Sequence, residues 1–139
     1  MTEQPYDIHK AAAIIMQDRK VLLTRSKGKD VFVSPGGKLE AGETPVQACV
    51  RELKEEISVD VSETDLEYVG TYYAEAAGGS GKALRMDVYT VHNYAGTIQP
   101  DNEIEEIVYV GSVVPEDMEV GSIFQHEIIP YLTAHDLID

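Results

Sequence analysis

The sequence predicts an α/β fold, an α/β/α sandwich with a mixed central sheet. Runs of strand-forming residues lie on both sides of one segment with helical periodicity, and a second helical run closes the chain. No repeat or linker interrupts the 139 residues, a length that fits one domain, residues 1–139. Such a domain buries a core without disulfides or a structural metal.

The first part of the chain is expected to form short strands. Residues 9–16 are an apolar run, residues 17–19 have turn composition, and residues 20–24 fit a second strand. After a polar loop, residues 31–33 are expected as a short strand that stops at Pro35-Gly36-Gly37.

The apolar periodicity then changes to that of a helix. Apolar side chains recur at helical spacing, at Val46, Cys49, Val50, Leu53 and Ile57. Thr44 fits an N-cap, Pro45 the first helical position and Gln47 the third residue of a capping box. The pattern predicts a helix over residues 45–57. Cys49 lies in the apolar stripe and is therefore interpreted as a core residue, not a nucleophile.

The remainder is predicted to contain more strands and a closing helix. The strands are expected over residues 66–75, 83–94 and 105–110, with a glycine-rich connection at residues 76–82. Residues 122–137 are expected to form a helix that bends at Pro130, because proline cannot donate a backbone hydrogen bond.

Composition and charge exclude several function classes. Eleven basic residues against 25 acidic ones leave a formal charge of −14, which disfavours nucleic acid polymers and anionic membranes as partners. One cysteine allows no internal disulfide, and the first residues do not resemble a signal peptide. A soluble cytoplasmic protein is expected.

Three carboxylates share one face of the predicted helix. Glu52, Glu55 and Glu56 stand at i, i+3 and i+4, where they repel one another by a few tenths of a kcal/mol per pair. A divalent cation would offset that repulsion, and an oxygen-only cluster suits Mg²⁺ or Mn²⁺. The same spacing is typical of a solvated acidic face, so spacing alone leaves both interpretations open.

The segment before the helix favours a site. Gly36 and Gly37 allow the backbone to approach a ligand closely, although Pro-Gly-Gly alone also fits a plain tight turn. Glu43 lies eight residues ahead of Arg51, so a loop that folds back along the helix would pair the two.

These residues together resemble the Nudix box, G-x5-E-x7-R-E-U-x-E-E-x-G-U, where U is a bulky aliphatic residue. The matching positions span residues 37–59 and are Gly37, Glu43, Arg51, Glu52, Leu53, Glu55, Glu56 and Val59. Residues 32–43 are similar to the opening of MutT-type members. Two positions depart from the pattern. Ser58 stands at the box glycine, and Phe32 stands where MutT-type members have tryptophan.

The resemblance implies a Nudix fold and Mg²⁺-dependent hydrolysis of a diphosphate linkage in a nucleoside diphosphate linked to a group X. Gly37, Glu52, Glu55 and Glu56 are the implied metal ligands. Arg51 and Glu43 are expected to hold the loop against the helix.

The remaining expected roles concern catalysis and substrate binding. Glu55, Glu56 and Glu103 are the expected catalytic residues, with Glu103 favoured over Glu55 as the base, although an ordinary acidic turn explains Glu103 equally well. Four residues are candidates for substrate contact: Arg25 and Lys38 for phosphates, Phe32 for stacking on a base, and Arg85 on a later strand.

The sequence leaves several alternatives open. A non-catalytic Nudix-fold nucleotide sensor keeps the fold without the chemistry. An isoprenoid diphosphate isomerase would need a catalytic cysteine, and Cys49 lies within the helix instead. A nucleoside triphosphate with an oxidised purine, ADP-ribose and a dinucleoside polyphosphate are all compatible small-molecule substrates, and a homodimer is also open.

Overall fold

A computed structural model describes residues 4–75 and 81–139. Its strands are β1 (Ile8–Ile14), β2 (Met16–Gln17), β3 (Lys20–Ser26), β4 (Gly36–Lys38), β5 (Leu66–Glu75), β6 (Ala83–Val91) and β7 (Ile104–Val110). Its α-helices are α1 (Pro45–Ile57) and α2 (Ile129–Ala134). A 3-10 turn (Glu63–Asp65) precedes β5, and a π-helical turn (Phe124–Ile128) precedes α2.

The strands form two sheets. Four strands form a mixed sheet in the order β4-β1-β6-β5, in which β1 and β6 are parallel and the other pairs are antiparallel. The others form an antiparallel sheet in the order β2-β3-β7. With α1 and α2 packed on opposite faces of the mixed sheet, the predicted α/β/α sandwich is confirmed.

Successive side chains of β1 enter two different cores, since a strand points its residues to alternate faces. Ala11 and Ala13 pack in one core with the apolar stripe of α1. Ala12 and Ile14 pack in the other core with the segment that contains α2. The chain between residues 11 and 14 is therefore covered on both sides.

The helix α1 has the bounds that the sequence predicts. The hydroxyl of Thr44 accepts the backbone N–H of Gln47, and the Gln47 side chain accepts the N–H of Thr44, which completes the capping box. Leu53 and Ile57 are fully buried, and each contributes about 1.5–3 kcal/mol through apolar burial. Ser58 ends the helix in the left-handed region, at φ 67°.

The region before α1 differs from the prediction. Gly36 and Gly37 do not stop a strand; together with Lys38 they form β4, paired antiparallel to β1. Phe32 and Val33 form only isolated bridges. A side chain at Gly36, where φ is 140°, would clash with the carbonyl oxygen of Ala11, so only glycine permits this pairing.

The closing helix is also less regular than predicted. The N–H of Ile129 bonds to the carbonyl of Phe124, an i→i−5 bond that widens the turn ahead of α2. Pro130 follows directly in α2, and it has no N–H to donate to the preceding turn. The predicted bend is thus a π-helical turn.

Most of the predicted glycine-rich connection, at residues 76–80, lies outside the described residues. Among the residues that are described, no helix combines the length and the apolar character needed to cross a membrane.

Replacement of Ser58 by glycine tests the cost of the left-handed residue. A non-glycine residue in this conformation is strained, so Ser58→Gly should raise the free energy of unfolding by about 0.5–1 kcal/mol. Urea denaturation measures the change. Ser58→Ala is the control, because it keeps the strain and loses the hydroxyl bond to the carbonyl of Gln99. A glycine variant no more stable than the alanine variant would contradict the prediction.

Candidate active site

The strand β4 places a glycine against a carboxylate of α1. A Cβ atom on Gly37 would lie 2.7 Å from Cδ of Glu52, so any larger residue there would displace that carboxylate. Gly37 therefore allows the backbone of β4 to lie directly beside Glu52. This contact brings together two of the predicted metal ligands.

Glu56 is a buried carboxylate at the same junction. Its Oε1 atom accepts the backbone N–H of Gly36 at 2.8 Å, and the residue is 7% exposed. Burial raises the pKa of Glu56 to about 8, and the charges of Glu52, Glu103 and Glu55 add to the effect. A negative charge on Glu56 is therefore strongly disfavoured unless a cation lies beside it.

Arg51 connects the loop before α1 to the helix. Its Nε and Nη2 atoms donate to the two carboxylate oxygens of Glu43 at 2.8 and 2.9 Å, and Nη2 also donates to the carbonyl of Lys38 at 3.0 Å. A bidentate arginine–carboxylate pair is among the strongest side-chain interactions. These bonds hold the loop over α1, as expected from the spacing of Glu43 and Arg51.

The same guanidinium also reaches two carboxylates of the cluster. Its Nη1 atom donates to Glu52 at 2.8 Å and to Glu55 at 3.2 Å. Within residues 4–75 and 81–139, no three His, Cys, Asp or Glu side chains are arranged to hold an ion as they lie. Arg51 thus competes for two of the oxygens that a bound ion would use.

The loop after β6 brings Glu103 towards the cluster. The N–H of Asp101 bonds to the carbonyl of Glu56 at 3.0 Å, and the side-chain amide of Asn102 bonds to the carbonyl of Glu55 at 2.8 Å. These bonds satisfy carbonyls that the last turn of a helix leaves free. The charge of Glu103 raises the pKa of both Glu52 and Glu56, which indicates its proximity.

The donor set fits a hard divalent cation. Carboxylates of Glu52, Glu55 and Glu56 and the backbone of Gly37 offer oxygen ligands only, the type that Mg²⁺ and Mn²⁺ prefer. Burial is the main cause of the raised pKa of Glu56, and the charges of Glu52, Glu103 and Glu55 add to it. A divalent ion beside Glu56 would favour its charged form.

The predicted substrate residues fall into separate places. Lys38 lies in β4 beside Gly37. Arg25 lies over the ring of Phe32, with 5.9 Å from its Cζ to the ring centroid, and forms salt bridges with Glu105 and Glu106. Arg25 therefore packs on Phe32, and Glu105 and Glu106 already offset its positive charge.

Arg85 belongs to a different network. It lies 3.4 Å from Asp87, which is 2% exposed and also bonds to His9 and Thr71. Its guanidinium also lies over the ring of Tyr6. A substrate role for Arg85 stays a prediction.

Sequence reasoning missed two residues near the carboxylates. Asn102 anchors the Glu103 loop through a bond that spans 47 positions, and only the folded chain shows it. Lys10 in β1 lies close enough to Glu56 and Glu52 for their charges to act on its pKa. Cys49 is fully buried, and burial raises its pKa to about 12, which agrees with a core role.

The pair of Glu43 and Arg51 predicts a pH-dependent contribution to stability. Hydrogen bonds from Arg51 and from the backbone N–H of Glu40 lower the pKa of Glu43 from its ordinary 4.5 to about 2. Because the folded-state pKa is depressed, the contribution is complete above about pH 4.5 and is lost as the pH falls towards 2.

The variant Glu43→Gln should therefore lose less stability than the wild type between pH 5 and pH 2, and should be the less stable of the two at pH 7. Urea denaturation across this pH range measures both effects. The matched control is Glu116→Gln, at an exposed glutamate in the loop after β7. Parallel pH profiles for wild type and Glu43→Gln would refute the assignment.

Comparison with known proteins agrees with this architecture. The family model described as NUDIX domain matches residues 7–131. The CTP pyrophosphohydrolase of Escherichia coli (strain K12) is 34% identical over 96 residues, which are 66% of this chain and 67% of that protein. The 8-oxo-dGTP diphosphatase of Haemophilus influenzae is 49% identical over 57 residues, 37% of this chain and 42% of that protein.

A solved structure extends the similarity over nearly the whole chain. The solution structure of the Escherichia coli ORF135 protein superposes with a TM-score of 0.68 at 30% identity, and the match covers 93% of this chain and 88% of that one. The family match spans β1 to α2 and includes the carboxylate cluster. The chain therefore belongs to the Nudix family and is a MutT-like, Nudix-type hydrolase.

Proposed function

We propose that this chain hydrolyses a diphosphate linkage of a nucleoside triphosphate, with Mg²⁺ as its metal. Two of its relatives are named for such substrates, CTP and 8-oxo-dGTP. The MutT-like run over residues 32–43 supports the same class. A small anionic nucleotide also suits a protein of charge −14 only if a cation lies between the two.

One observation carries the proposal: two carboxylates of α1 lie against the glycines of β4, and one of the two is buried. Glu56 lies against the N–H of Gly36, and Glu52 lies against Gly37. Glu52, Glu55, Glu56 and the carbonyl of Gly37 would hold the metal. Bound Mg²⁺ would neutralise phosphate charge and polarise a water.

The other residues of the site would orient the reactants. Arg51 would keep Glu52 in place while its bond to Glu43 holds the loop. Glu103 is the favoured base, because it lies near the cluster without a salt bridge in the described part of the chain, whereas Glu55 is bonded to Arg51. Lys38 would meet phosphate, and Phe32 with Arg25 offers a surface for a base.

A nucleotide screen tests the metal ligands. With Mg²⁺ present, wild-type protein should release products from CTP, 8-oxo-dGTP or a related triphosphate, and Glu52→Gln and Glu56→Gln should each lose several orders of magnitude in kcat. Chromatography of the products gives the rates, and a chelator should abolish wild-type turnover. Glu116→Gln is the matched control. An active Glu56→Gln variant, or turnover that survives the chelator, would count against the proposal.

The base is tested separately. Glu103→Gln should lower kcat by about 10²- to 10⁴-fold, because it removes proton transfer and leaves the box carboxylates in place. Its Mg²⁺ affinity, measured by calorimetry, should stay close to that of the wild type. If Glu55→Gln instead gives the larger loss of kcat at unchanged Mg²⁺ affinity, the base is Glu55.

A further inference from the structure

Lys10 is a basic residue within β1 that the proposed function leaves without a role. It pairs in register with Lys38 of β4 and with Met86 of β6. Since side chains alternate along β1 and Ala11 packs against α1, Lys10 points to the opposite face of the sheet. Lys38 shares that face because directly paired residues of adjacent strands lie on the same side.

The two lysines form a local concentration of positive charge. Directly opposite residues of an antiparallel pair have Cβ atoms about 4.5–5.5 Å apart, and like charges in this arrangement are destabilising. The chain has only 11 basic residues against 25 acidic ones, so two adjacent ammonium groups beside the site need an explanation. An anion bound between the two ammonium groups would attract both and offset their mutual repulsion.

The environment of Lys10 also calls for a partner. Burial lowers the pKa of its ammonium group, the charge of Lys38 lowers it further, and the carboxylates of Glu56 and Glu52 act in the other direction. Among residues 4–75 and 81–139 its side chain has no hydrogen bond or salt bridge. A partly desolvated ammonium without a hydrogen-bond or salt-bridge partner is unfavourable, and a bound anion would supply one.

We propose that Lys10 and Lys38 together bind the phosphate chain of the substrate, which makes Lys10 a substrate-binding residue of this enzyme. The proposal rests on the proposed function, because it takes the anion to be the nucleotide's own polyphosphate. The residues that continue this register across the sheet, Met86 of β6 and Tyr72 of β5, carry no positive charge. The proposed phosphate-binding surface therefore ends at Lys10.

Steady-state kinetics of Lys10→Met test the proposal. With CTP and Mg²⁺, KM should rise about 10- to 100-fold, the usual effect of losing a hydrogen bond to a charged group, while kcat changes much less. Lys10→Arg should recover part of the loss because it keeps the charge. The matched control is Lys20→Met, at an exposed lysine that begins β3, and its KM should equal that of the wild type. A Lys10→Met KM within twofold of the wild-type value would overturn the proposal.

Calorimetry without turnover separates this role from a structural one. Titration with Mg²⁺ alone should show equal or tighter binding to Lys10→Met, because a positive charge near Glu52 and Glu56 has been removed. Weaker Mg²⁺ binding would mean that Lys10 positions the carboxylates instead, and would refute phosphate binding.

Titration with inorganic pyrophosphate in the presence of Mg²⁺ completes the test. Its Kd should rise about 10- to 100-fold in Lys10→Met and stay unchanged in Lys20→Met. This measurement holds even if the wild type hydrolyses none of the nucleotides, an outcome that would refute the proposed function alone. Equal pyrophosphate affinity in all three proteins would refute the two-lysine site.

Discussion

Arg51 is bonded at the same time to the loop before α1 and to two carboxylates on the helix itself. Glu43 receives two of these bonds and fixes the loop, and the carbonyl of Lys38 receives another. One guanidinium thus joins the loop, β4 and two of the three cluster carboxylates on α1. The positions of Glu52 and Glu55 relative to the loop depend on this arginine.

Arg51 leaves one part of the charge balance unresolved. Its bonds reach Glu52 and Glu55, whereas Glu56 lies deeper and has only the backbone N–H of Gly36 as its hydrogen-bond partner in the described chain. Burial and three neighbouring acids therefore penalise the charge of Glu56. A metal ion beside Glu56 would offset that penalty.

The sequence predicts those features that depend on neighbouring residues. The bounds of α1 follow from the Thr44 cap and the apolar spacing, and both are local signals. The strand β4 was not predicted, because Gly36 and Gly37 have low strand propensity and pair only where the backbone of β1 approaches. A contact across the sheet overrides the local preference there.

In the site, too, the sequence predicts the features that depend on local spacing and misses those that depend on distant contacts. The spacing of Glu52, Glu55 and Glu56 is visible in the sequence, as is the pairing of Glu43 with Arg51. The roles of Asn102 and Lys10 depend on loop anchoring and strand register, which a linear pattern does not contain. Such residues become visible only when distant segments are brought side by side.

The bond between Gly36 and Glu56 has one more consequence. β4 is the outermost strand of its sheet, and an open edge of this kind invites pairing with another chain and aggregation. The N–H of Gly36 is occupied by the Glu56 carboxylate, and the strand is only three residues long. The carboxylate of Glu56 thus also occupies one backbone donor that an added strand would need, which leaves this edge less suited to intermolecular β-pairing.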